Sequence, residues 1–293
     1  MKMNSKISCK RTGKPDWLKK SLPKGGDYQK VRSMLKKAGL HTVCQEAKCP
    51  NMFECFSKNT STFMILGSEC TRNCRFCNVS SGTILPVDPE EPEKVAKAAL
   101  KLGLTYVVVT SVTRDDLEDG GAGHFAATIK AIKSTLPGDP GVEVLIPDFK
   151  GDIKALETVV HAKPDVLNHN IETVPSLYPS ARPQADYRQS LDLLSNVKDI
   201  DRAMPVKSGL MLGLGESLEE LEATMQDIFA HKCDILTIGQ YLQPTREHLE
   251  VKKFYSPAEF EELEKTAAKI GFRKIAAGPF VRSSYNARQL FLS

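Results

Sequence analysis

Residues 70–77 read Cys70-Thr71-Arg72-Asn73-Cys74-Arg75-Phe76-Cys77, with three thiols at offsets of four and three residues. We call these three cysteines the loop triplet. A loop of this kind can wrap three corners of a cuboidal iron–sulfur cluster, because thiolate is the soft ligand that iron prefers in sulfide cages. Only three thiols are close together in the sequence, so one iron is left open. The stretch therefore predicts an iron–sulfur centre with a free position for a substrate.

A structural zinc site is the alternative for this stretch. Such sites normally have four closed ligands, often arranged as two C-x2-C pairs. Here there is one C-x2-C pair with one further cysteine, and no histidine lies nearby. The spacing therefore favours iron–sulfur chemistry over zinc.

A second set of three cysteines precedes the first. Cys44, Cys49 and Cys55 follow the pattern C-x4-C-x5-C, and Pro50-Asn51 marks a turn between them. We call these the N-terminal triplet. Three thiols in so short a segment indicate a second metal site, since a disulfide would leave one of them unpaired.

Bulk composition predicts one large domain with an extension. The chain has 293 residues, of which 41% are hydrophobic. Its longest uncharged run is 12 residues, which is shorter than the roughly 20 apolar residues of a membrane helix. No apolar stretch follows the first lysines, so the N-terminus is not predicted to be a secretory signal. We therefore expect no membrane association, a cytoplasmic location, and metal binding rather than disulfides for the six of the eight cysteines that form the two triplets.

Charge is distributed unevenly. Residues 1–50 contain 13 Lys and Arg against 3 Asp and Glu, a net charge of +10, and the remainder has 27 against 33, a net charge of −6. Such a basic arm on a mildly acidic body predicts an anionic partner, either nucleic acid or an acidic protein. A solvated tail is the alternative. Trp17 and Tyr28 alone are too few aromatic residues for stacking on single strands.

From residue 62, short apolar runs alternate with helical patterns, which is typical of β/α units with parallel strands. The predicted strands are Thr62–Gly67, Tyr106–Ser111, Val142–Ile146, Asp165–Asn168, Val206–Leu212 and Ile235–Tyr241. Six units predict an α/β fold, a partial (β/α)6 TIM-like barrel with its chemistry where the strands end. A doubly wound sheet is the rival, but Gly213-x-Gly215 lacks the third glycine of its phosphate turn.

The predicted domains follow from this change of pattern. Residues 1–60 form a basic N-terminal extension that carries the N-terminal triplet, and residues 61–272 form the barrel. Residues 273–293 form a C-terminal extension. Asp115 and Asp116, which follow the second predicted strand, are candidates for acid–base carboxylates, although a loop or helix-cap role is favoured.

Motifs along most of the chain resemble one family. The C-x3-C-x2-C loop resembles the radical S-adenosylmethionine (SAM) superfamily. The N-terminal triplet ahead of it, together with four further motifs, resembles the lipoyl synthase family from about residue 14 to residue 290. Those motifs are Arg282-Ser283-Ser284-Tyr285, Thr110-Ser111-Val112-x-Arg114-Asp115-Asp116-Leu117, His169-Asn170-Ile171-Glu172-Thr173 and Lys207-Ser208-Gly209-Leu210-Met211-x-Gly213-Leu214-Gly215-Glu216.

The resemblance implies a sulfurtransferase that uses SAM and two [4Fe-4S] clusters. Cys70, Cys74 and Cys77 would hold the cluster that binds SAM and gives it one electron. The 5′-deoxyadenosyl radical would then take hydrogen from C6 and C8 of an octanoyl chain on a carrier-protein lysine. The auxiliary cluster, on the N-terminal triplet, would donate both sulfur atoms and be consumed. Unactivated methylenes have no acidic proton, so a radical cofactor suits this work.

Individual ligands are also implied by the resemblance. Ser284 is the candidate fourth ligand of the auxiliary cluster, with Ser283 as second choice. A serine oxygen matches iron less well than thiolate does, so it can be released when an iron is lost.

Three residues are candidates for SAM itself. Arg188, Glu172 and Asn170 would bind its carboxylate, ribose and amine, because an arginine fork suits a carboxylate and an acidic residue suits a pair of hydroxyls. For Arg188, a surface ion pair with the nearby Asp186 is an equally open alternative.

Partners follow from the same resemblance. The expected substrate carrier is an octanoylated lipoyl domain or the H protein of glycine cleavage, and its acidity suits the basic arm better than nucleic acid does. A ferredoxin or flavodoxin is the expected low-potential electron donor. The rival enzyme is a radical SAM methylthiotransferase acting on tRNA, whose usual RNA-binding β-barrel is expected to find no room after the last helix. A zinc-stabilised binding module without catalysis is the rival of a different class.

Overall fold

The structure is a computed structural model that describes residues 14–19, 27–57 and 61–292. Residues 1–13 and 20–26 of the predicted basic arm lie outside the described residues. Eight strands occur within the described ranges, and all belong to one sheet. They are β1 (His41–Thr42), β2 (Thr62–Ile65), β3 (Tyr106–Ser111), β4 (Gly141–Leu145), β5 (Val166–Asn168), β6 (Val206–Leu212), β7 (Ile235–Gln240) and β8 (Lys274–Gly278).

Strand order in the sheet follows the order of the chain. β1 pairs antiparallel with β2, and every later pair from β2 to β8 is parallel. The six predicted strands correspond to β2–β7, so the α/β partial-barrel prediction is confirmed. β1 and β8 were not predicted, because β1 has two residues and β8 begins with a lysine followed mainly by small residues.

A helix follows each of the six strands β2–β7, which is the alternation that a (β/α)6 barrel requires. The helices are α1 (Asp27–Lys37), α2 (Val43–Glu46), α3 (Met52–Ser57), α4 (Glu91–Lys101), α5 (Ala122–Thr135), α6 (Ile153–His161), α7 (Tyr178–Ala181), α8 (Tyr187–Ile200), α9 (Leu218–Ala230), α10 (Pro257–Ile270) and α11 (Ala287–Leu292). Ser217 and Ser256 form capping boxes at the starts of α9 and α10. Among the described helices, none has the length and hydropathy of a membrane span.

Register along the sheet separates two layers of side chains. One registered row is fully buried and apolar, and it packs in the core; its members are Phe63, Val109, Val144, Leu167 and Val206. The neighbouring row mixes polar and apolar residues and points the other way, because successive strand residues alternate in direction. Its members are Met64, Thr110, Leu145, Asn168, Lys207 and Ile235. The interior of the barrel is therefore partly polar.

A buried ion pair lies in this interior. Lys207 Nζ is 2.8 Å from Glu143 Oε1, and both side chains are 1% exposed. The Tyr106 hydroxyl donates a hydrogen bond of 2.9 Å to the same carboxylate, and the ring of Tyr106 packs 6.0 Å from that of Phe291 on α11. Strands β3, β4 and β6 and the C-terminal helix are thus linked through one carboxylate.

Lys207→Met should lower the free energy of unfolding by roughly 3–5 kcal/mol, because the Glu143 carboxylate stays buried without its cation. The double variant Lys207→Met/Glu143→Leu should regain much of that loss, since an apolar pair can replace a buried ion pair at little cost. Chemical denaturation followed by circular dichroism measures both values. A double variant no more stable than the single one would contradict this account of the pair.

Candidate active site

One cavity of about 410 Å³ lies at the carboxyl ends of β6 and β7. It brings together residues from both ends of the chain and from the barrel. Its lining includes all three cysteines of the N-terminal triplet, Cys77 of the loop triplet, and the C-terminal segment 281–285. Asn170 and Glu172 line it as well. Of the predicted site residues, the cavity therefore collects most of the cluster ligands and two of the three SAM candidates.

The N-terminal triplet lies on two short helices around a turn. Thr42 caps α2 by accepting a hydrogen bond from the Gln45 amide, and Cys44 follows in that helix. The Cys49 amide donates to the Cys44 carbonyl at 3.0 Å, which closes the turn between the first two thiols. Burial raises the pKa of Cys44 to about 12, with a further contribution from Cys49. A thiolate here is therefore stable only beside a compensating cation, as in a metal centre.

The loop triplet follows β2 directly and is held by neighbouring loops. The Cys70 amide donates to the Ser80 carbonyl at 2.8 Å, and the Arg75 amide donates to the Ala181 carbonyl at 2.9 Å. Burial raises the pKa of Cys77 to about 12 and also raises that of Cys74. Burial thus opposes ionisation of these thiols as it does for Cys44, and coordination to a metal would offset that effect.

The donor sets fit iron–sulfur cages better than single ions. Among the described residues, no three His, Cys, Asp or Glu side chains converge as closely as one metal ion would require. A cuboidal cluster spaces its thiolates more widely, because each binds a different iron. Three thiols with a nearby serine, and three thiols alone, therefore match one closed and one open [4Fe-4S] cluster.

The C-terminal segment reaches the cavity because two strand positions lack a side chain. A Cβ on Gly239 of β7 would lie 2.2 Å from the Val281 carbonyl oxygen. One on Gly209 of β6 would lie 3.0 Å from the Ser283 hydroxyl. Glycine at both positions lets residues 281–285 lie directly on the sheet.

The two serines of this segment differ in their contacts. The Ser283 hydroxyl donates to Asn170 Oδ1 at 2.9 Å, whereas the Ser284 hydroxyl has no hydrogen bond to any residue that the structure describes. The Tyr285 hydroxyl donates to Glu54 on α3 at 3.0 Å, which ties the segment to the N-terminal triplet. Of the two serines, only Ser283 is therefore engaged by a side chain within the described part of the chain.

The three SAM candidates are divided between two places. Asn170 Nδ2 donates to Glu172 Oε1 at 3.1 Å, and burial raises the pKa of Glu172. Arg188 instead lines a separate cleft with Asp148, Asp152 and Asp186 among others. The structure thus does not bring Arg188 to Asn170 and Glu172.

Sequence reasoning missed Arg182. Its Nη1 donates to the carbonyl of Asn170 at 3.0 Å, the side chain is 9% exposed, and Nε has no partner among the described residues. Nothing in the sequence marked this arginine as a site residue; it directly follows α7, whereas Arg188 lies in the first turn of α8. A buried cation with an unused donor beside Asn170 is visible only in the folded chain.

The two aspartates after β3 are both held by arginines. Asp115 is bound by Arg72, with Nε to Oδ2 at 2.7 Å, and Asp116 is bound by Arg114, with Nη2 to Oδ2 at 2.8 Å. The charge and hydrogen bonds of Arg114 lower the pKa of Asp116. A lowered pKa makes Asp116 poorly suited to donate a proton, and the oxygens of Asp115 are occupied by Arg72, so the geometry favours the structural reading of both residues.

Two family models match the sequence. One describes the Radical SAM superfamily and matches residues 64–228, and the other describes the N-terminal domain of lipoyl synthase of the Radical SAM family and matches residues 2–49. A crystal structure of methylornithine synthase superposes with a TM-score of 0.58 over 87% of this chain and 75% of that chain, at 15% identity, which shows a shared fold. Fold, cysteine loop and model match together define a radical SAM enzyme.

Relatives of known activity narrow this class. A lipoyl synthase of Desulfotalea psychrophila is 57% identical over 96% of this chain and 94% of its own length. A lipoyl synthase of Alkaliphilus metalliredigens is 55% identical over 94% of this chain and 95% of its own length. The chain belongs to the lipoyl synthase family. The predicted sulfurtransferase function and the predicted cofactors, SAM and [4Fe-4S] clusters, are confirmed by these matches, which support neither a tRNA methylthiotransferase nor a zinc module.

His169, the residue before Asn170, is a buried group without charge. Its side chain is 2% exposed, Nδ1 donates to the Ile146 carbonyl at 2.9 Å, and Nε2 has no partner among the described residues. Burial lowers the pKa of His169 to about 4, and the positive charge of Arg182 acts in the same direction. The unfolded chain therefore binds a proton at His169 between about pH 6.5 and pH 4, where the folded chain does not.

Because only the unfolded state takes up this proton, stability should fall as the pH falls through that window. His169 should contribute a loss of about 2 kcal/mol in unfolding free energy between about pH 7 and pH 5. In His169→Gln, the unfolding free energy should fall by about 2 kcal/mol less over the same pH range, since glutamine does not titrate. Denaturation curves at a series of pH values measure the difference. Equal slopes for the two proteins would exclude a neutral buried His169.

Proposed function

We propose that two sulfur atoms are inserted at C6 and C8 of a protein-bound octanoyl-lysine within the cavity described above. The observation that carries this proposal is the lining of that cavity. The three thiols of the N-terminal triplet, the Cys77 thiol of the loop triplet and Ser284 surround one space of about 410 Å³. In such a reaction a SAM-derived radical would remove hydrogen from a substrate carbon, and that carbon would then bond to sulfur of a second cluster, so both centres are needed at one substrate.

The loop triplet is proposed to hold the SAM-binding cluster, and the N-terminal triplet with Ser284 the auxiliary cluster. When bound, the first supplies the electron that cleaves SAM and the second supplies sulfur. The chain itself contributes the buried thiols and one weakly binding oxygen. Arg282 places a guanidinium beside the auxiliary site. Burial lowers the pKa of this group, and the opposing effect of Cys49 is smaller.

An apolar wall of the cavity suits an alkyl chain. Leu145, Leu210, Met211, Tyr241 and Leu242 line it. These side chains can surround the octanoyl methylenes and exclude water, which protects a carbon radical from side reactions. Because the reacting C–H bonds are not acidic, the wall needs no general base, and none of these five side chains is a carboxylate or histidine.

For SAM, we propose that Asn170 and Glu172 bind the amine and the ribose. Both line the cavity and are joined by a hydrogen bond of 3.1 Å. Arg188, the sequence candidate for the carboxylate, lies in a separate cleft. Arg182 is the better placed cation, because its guanidinium lies beside the Asn170 carbonyl and near Cys74, whose pKa it lowers against the larger effect of burial.

The carrier is proposed to dock at the basic N-terminal extension. Lys14 and Lys48 line the cavity, and Lys36 and Lys37 are exposed at the end of α1. These cations suit an acidic lipoyl domain or H protein, whose octanoyl-lysine would enter from this side. A ferredoxin or flavodoxin as reductant, an absence of nucleic-acid and membrane partners, and a cytoplasmic location stay predictions.

Anaerobic incubation of the reconstituted protein with SAM, dithionite and an octanoyl-lysine peptide should give a product with two added sulfur atoms by mass spectrometry. Ser284→Ala should still cleave SAM but form this product at least about tenfold more slowly, because the auxiliary cluster loses a ligand. Ser283→Ala, one residue away, is the matched control and should keep its activity within a few-fold. Full product formation by Ser284→Ala would refute the ligand assignment.

Carrier affinity should weaken as ionic strength rises from about 0.01 M to 0.15 M, where the Debye length falls from about 30 Å to 8 Å. Lys36→Glu/Lys37→Glu should weaken binding by about tenfold at low salt and reduce this salt dependence. Lys97→Glu/Lys101→Glu, on the exposed face of α4, makes the same charge change elsewhere and should have little effect. Calorimetric titration with an octanoylated lipoyl domain measures the affinity of the parent protein and of both double variants. Equal losses in both double variants would argue against docking at α1.

A further inference from the structure

Arg72 lies inside the cysteine loop but is not a thiol ligand, and neither the proposed chemistry nor the SAM contacts use it. Its side chain is only 7% exposed. Nε and Nη2 donate to Asp115 at 2.7 Å and 3.0 Å, and Nη1 and Nη2 donate to Asp148 at 2.7 Å each. One guanidinium thus forms a double hydrogen bond with each of two carboxylates, the arrangement in which arginine binds carboxylates most strongly.

The two carboxylates fasten the cysteine loop to two different strands. Asp115 follows β3 and Asp148 follows β4. On the β3 side, the Asp115 amide also donates to Thr71 Oγ1 at 3.0 Å, and Thr71 Oγ1 donates to the Thr113 carbonyl at 2.9 Å. The first half of the loop is therefore fixed by backbone as well as by charge.

The contacts that fix the loop also fix the hydrogen-bond donors around the Cys70 sulfur. Its Sγ accepts hydrogen bonds from the backbone amides of Arg72 at 3.4 Å and Thr113 at 3.3 Å. Both amides belong to residues of the fixed region. Hydrogen bonds to cluster sulfur and nearby charge are two of the factors that set an iron–sulfur reduction potential. The position of Arg72 thus determines how one of these donors points at a cluster ligand.

Asp148 is presented to Arg72 by a strained turn. Phe149, Lys150 and Gly151 have φ angles of 47°, 52° and 79°. Left-handed backbone is unfavourable for the first two, which carry side chains, and such strain persists only where surrounding contacts impose it. Asp148 Oδ1 accepts from the Lys150 amide at 3.0 Å, and Lys150 Nζ donates to the Asp115 carbonyl at 3.0 Å. The turn therefore belongs to the same network as the loop.

We propose that Arg72, clamped between Asp115 and Asp148, is a positioning residue that orients the amides at Cys70 and so sets the reduction potential of the SAM-binding cluster. This inference rests on the proposed assignment of that cluster to the loop triplet. Two effects are separable: the charge of the clamp, which is one cation against two anions, and the orientation that the arginine fork imposes. Lysine keeps the charge but cannot form two hydrogen bonds with each of the two carboxylates.

The test uses a parent protein with Cys44→Ala/Cys49→Ala/Cys55→Ala, so that only the loop cluster contributes to the spectrum. Redox titration followed by electron paramagnetic resonance gives its midpoint potential without SAM. Asp148→Asn should make reduction easier by about tenfold in the equilibrium constant, or about 59 mV, because an anion is removed. Arg72→Lys should make it harder by a similar factor, since the backbone amides of residue 72 and Thr113 are kept but are no longer held in line with Cys70 Sγ.

Asp116→Asn is the matched control. It removes the partner of Arg114 in the same loop, which is held with the same bidentate geometry at 2.8 Å. The Asp116 side chain is 38% exposed and has no hydrogen bond or ion pair to the cysteine loop among the described residues, so solvent screens its charge and the potential should stay unchanged. An unchanged potential in Arg72→Lys would overturn the proposal, because charge alone would then explain Asp148→Asn. Should Asp148→Asn fail to retain iron, Asp115→Asn, whose side chain is 20% exposed, serves in its place, with the same expected direction. A parent without any cluster would instead overturn the ligand assignment.

Discussion

Close contact between the C-terminal segment and the bare backbone of β6 and β7 is the constraint on which the site depends. A Cβ on Gly239 would lie only 2.2 Å from the Val281 carbonyl oxygen, so a side chain has no room at this position. Only because this position and Gly209 lack side chains can Ser284 lie in the same cavity as the N-terminal triplet. The Tyr285–Glu54 hydrogen bond then joins the two ends of the chain above the barrel.

Two buried cations of this barrel are paired with buried carboxylates. Lys207 pairs with Glu143 and Arg72 pairs with Asp148, all less than a tenth exposed. Burial raises the pKa of Asp148, but the hydrogen bonds and charge of Arg72 outweigh it and lower the pKa to about 2. Such pairs add little net stability, because desolvation offsets much of the attraction. Their value lies in geometry: each pair joins elements that a purely apolar contact would leave freer to shift.

Much of the fold could be predicted because its strands are local patterns. β2–β7 are short apolar runs between helices of regular period, and parallel sheets need such runs. β1 and β8 were not predicted, and the reasons differ. β1 is extended for only two residues and depends on pairing with β2. β8 is half-buried along its whole length, so it lacks the apolar pattern that identified the others. Arg182 was missed because only its burial distinguishes it from Arg188.

By itself, the sequence determined the chemistry: two thiol triplets with spacings suited to iron–sulfur cages, an alternating β/α pattern, and the family to which those motifs belong. Ligand type and spacing are properties of neighbouring residues, so they can be read without coordinates. Only the tertiary structure decided which groups meet. The N-terminal triplet, Cys77 and Ser284 meet at one cavity, Arg188 is separated from Asn170, and Arg72 is clamped by two aspartates. All three arrangements depend on distances between residues far apart in the chain. Those distances are fixed by how the strands pair and where glycine permits close approach.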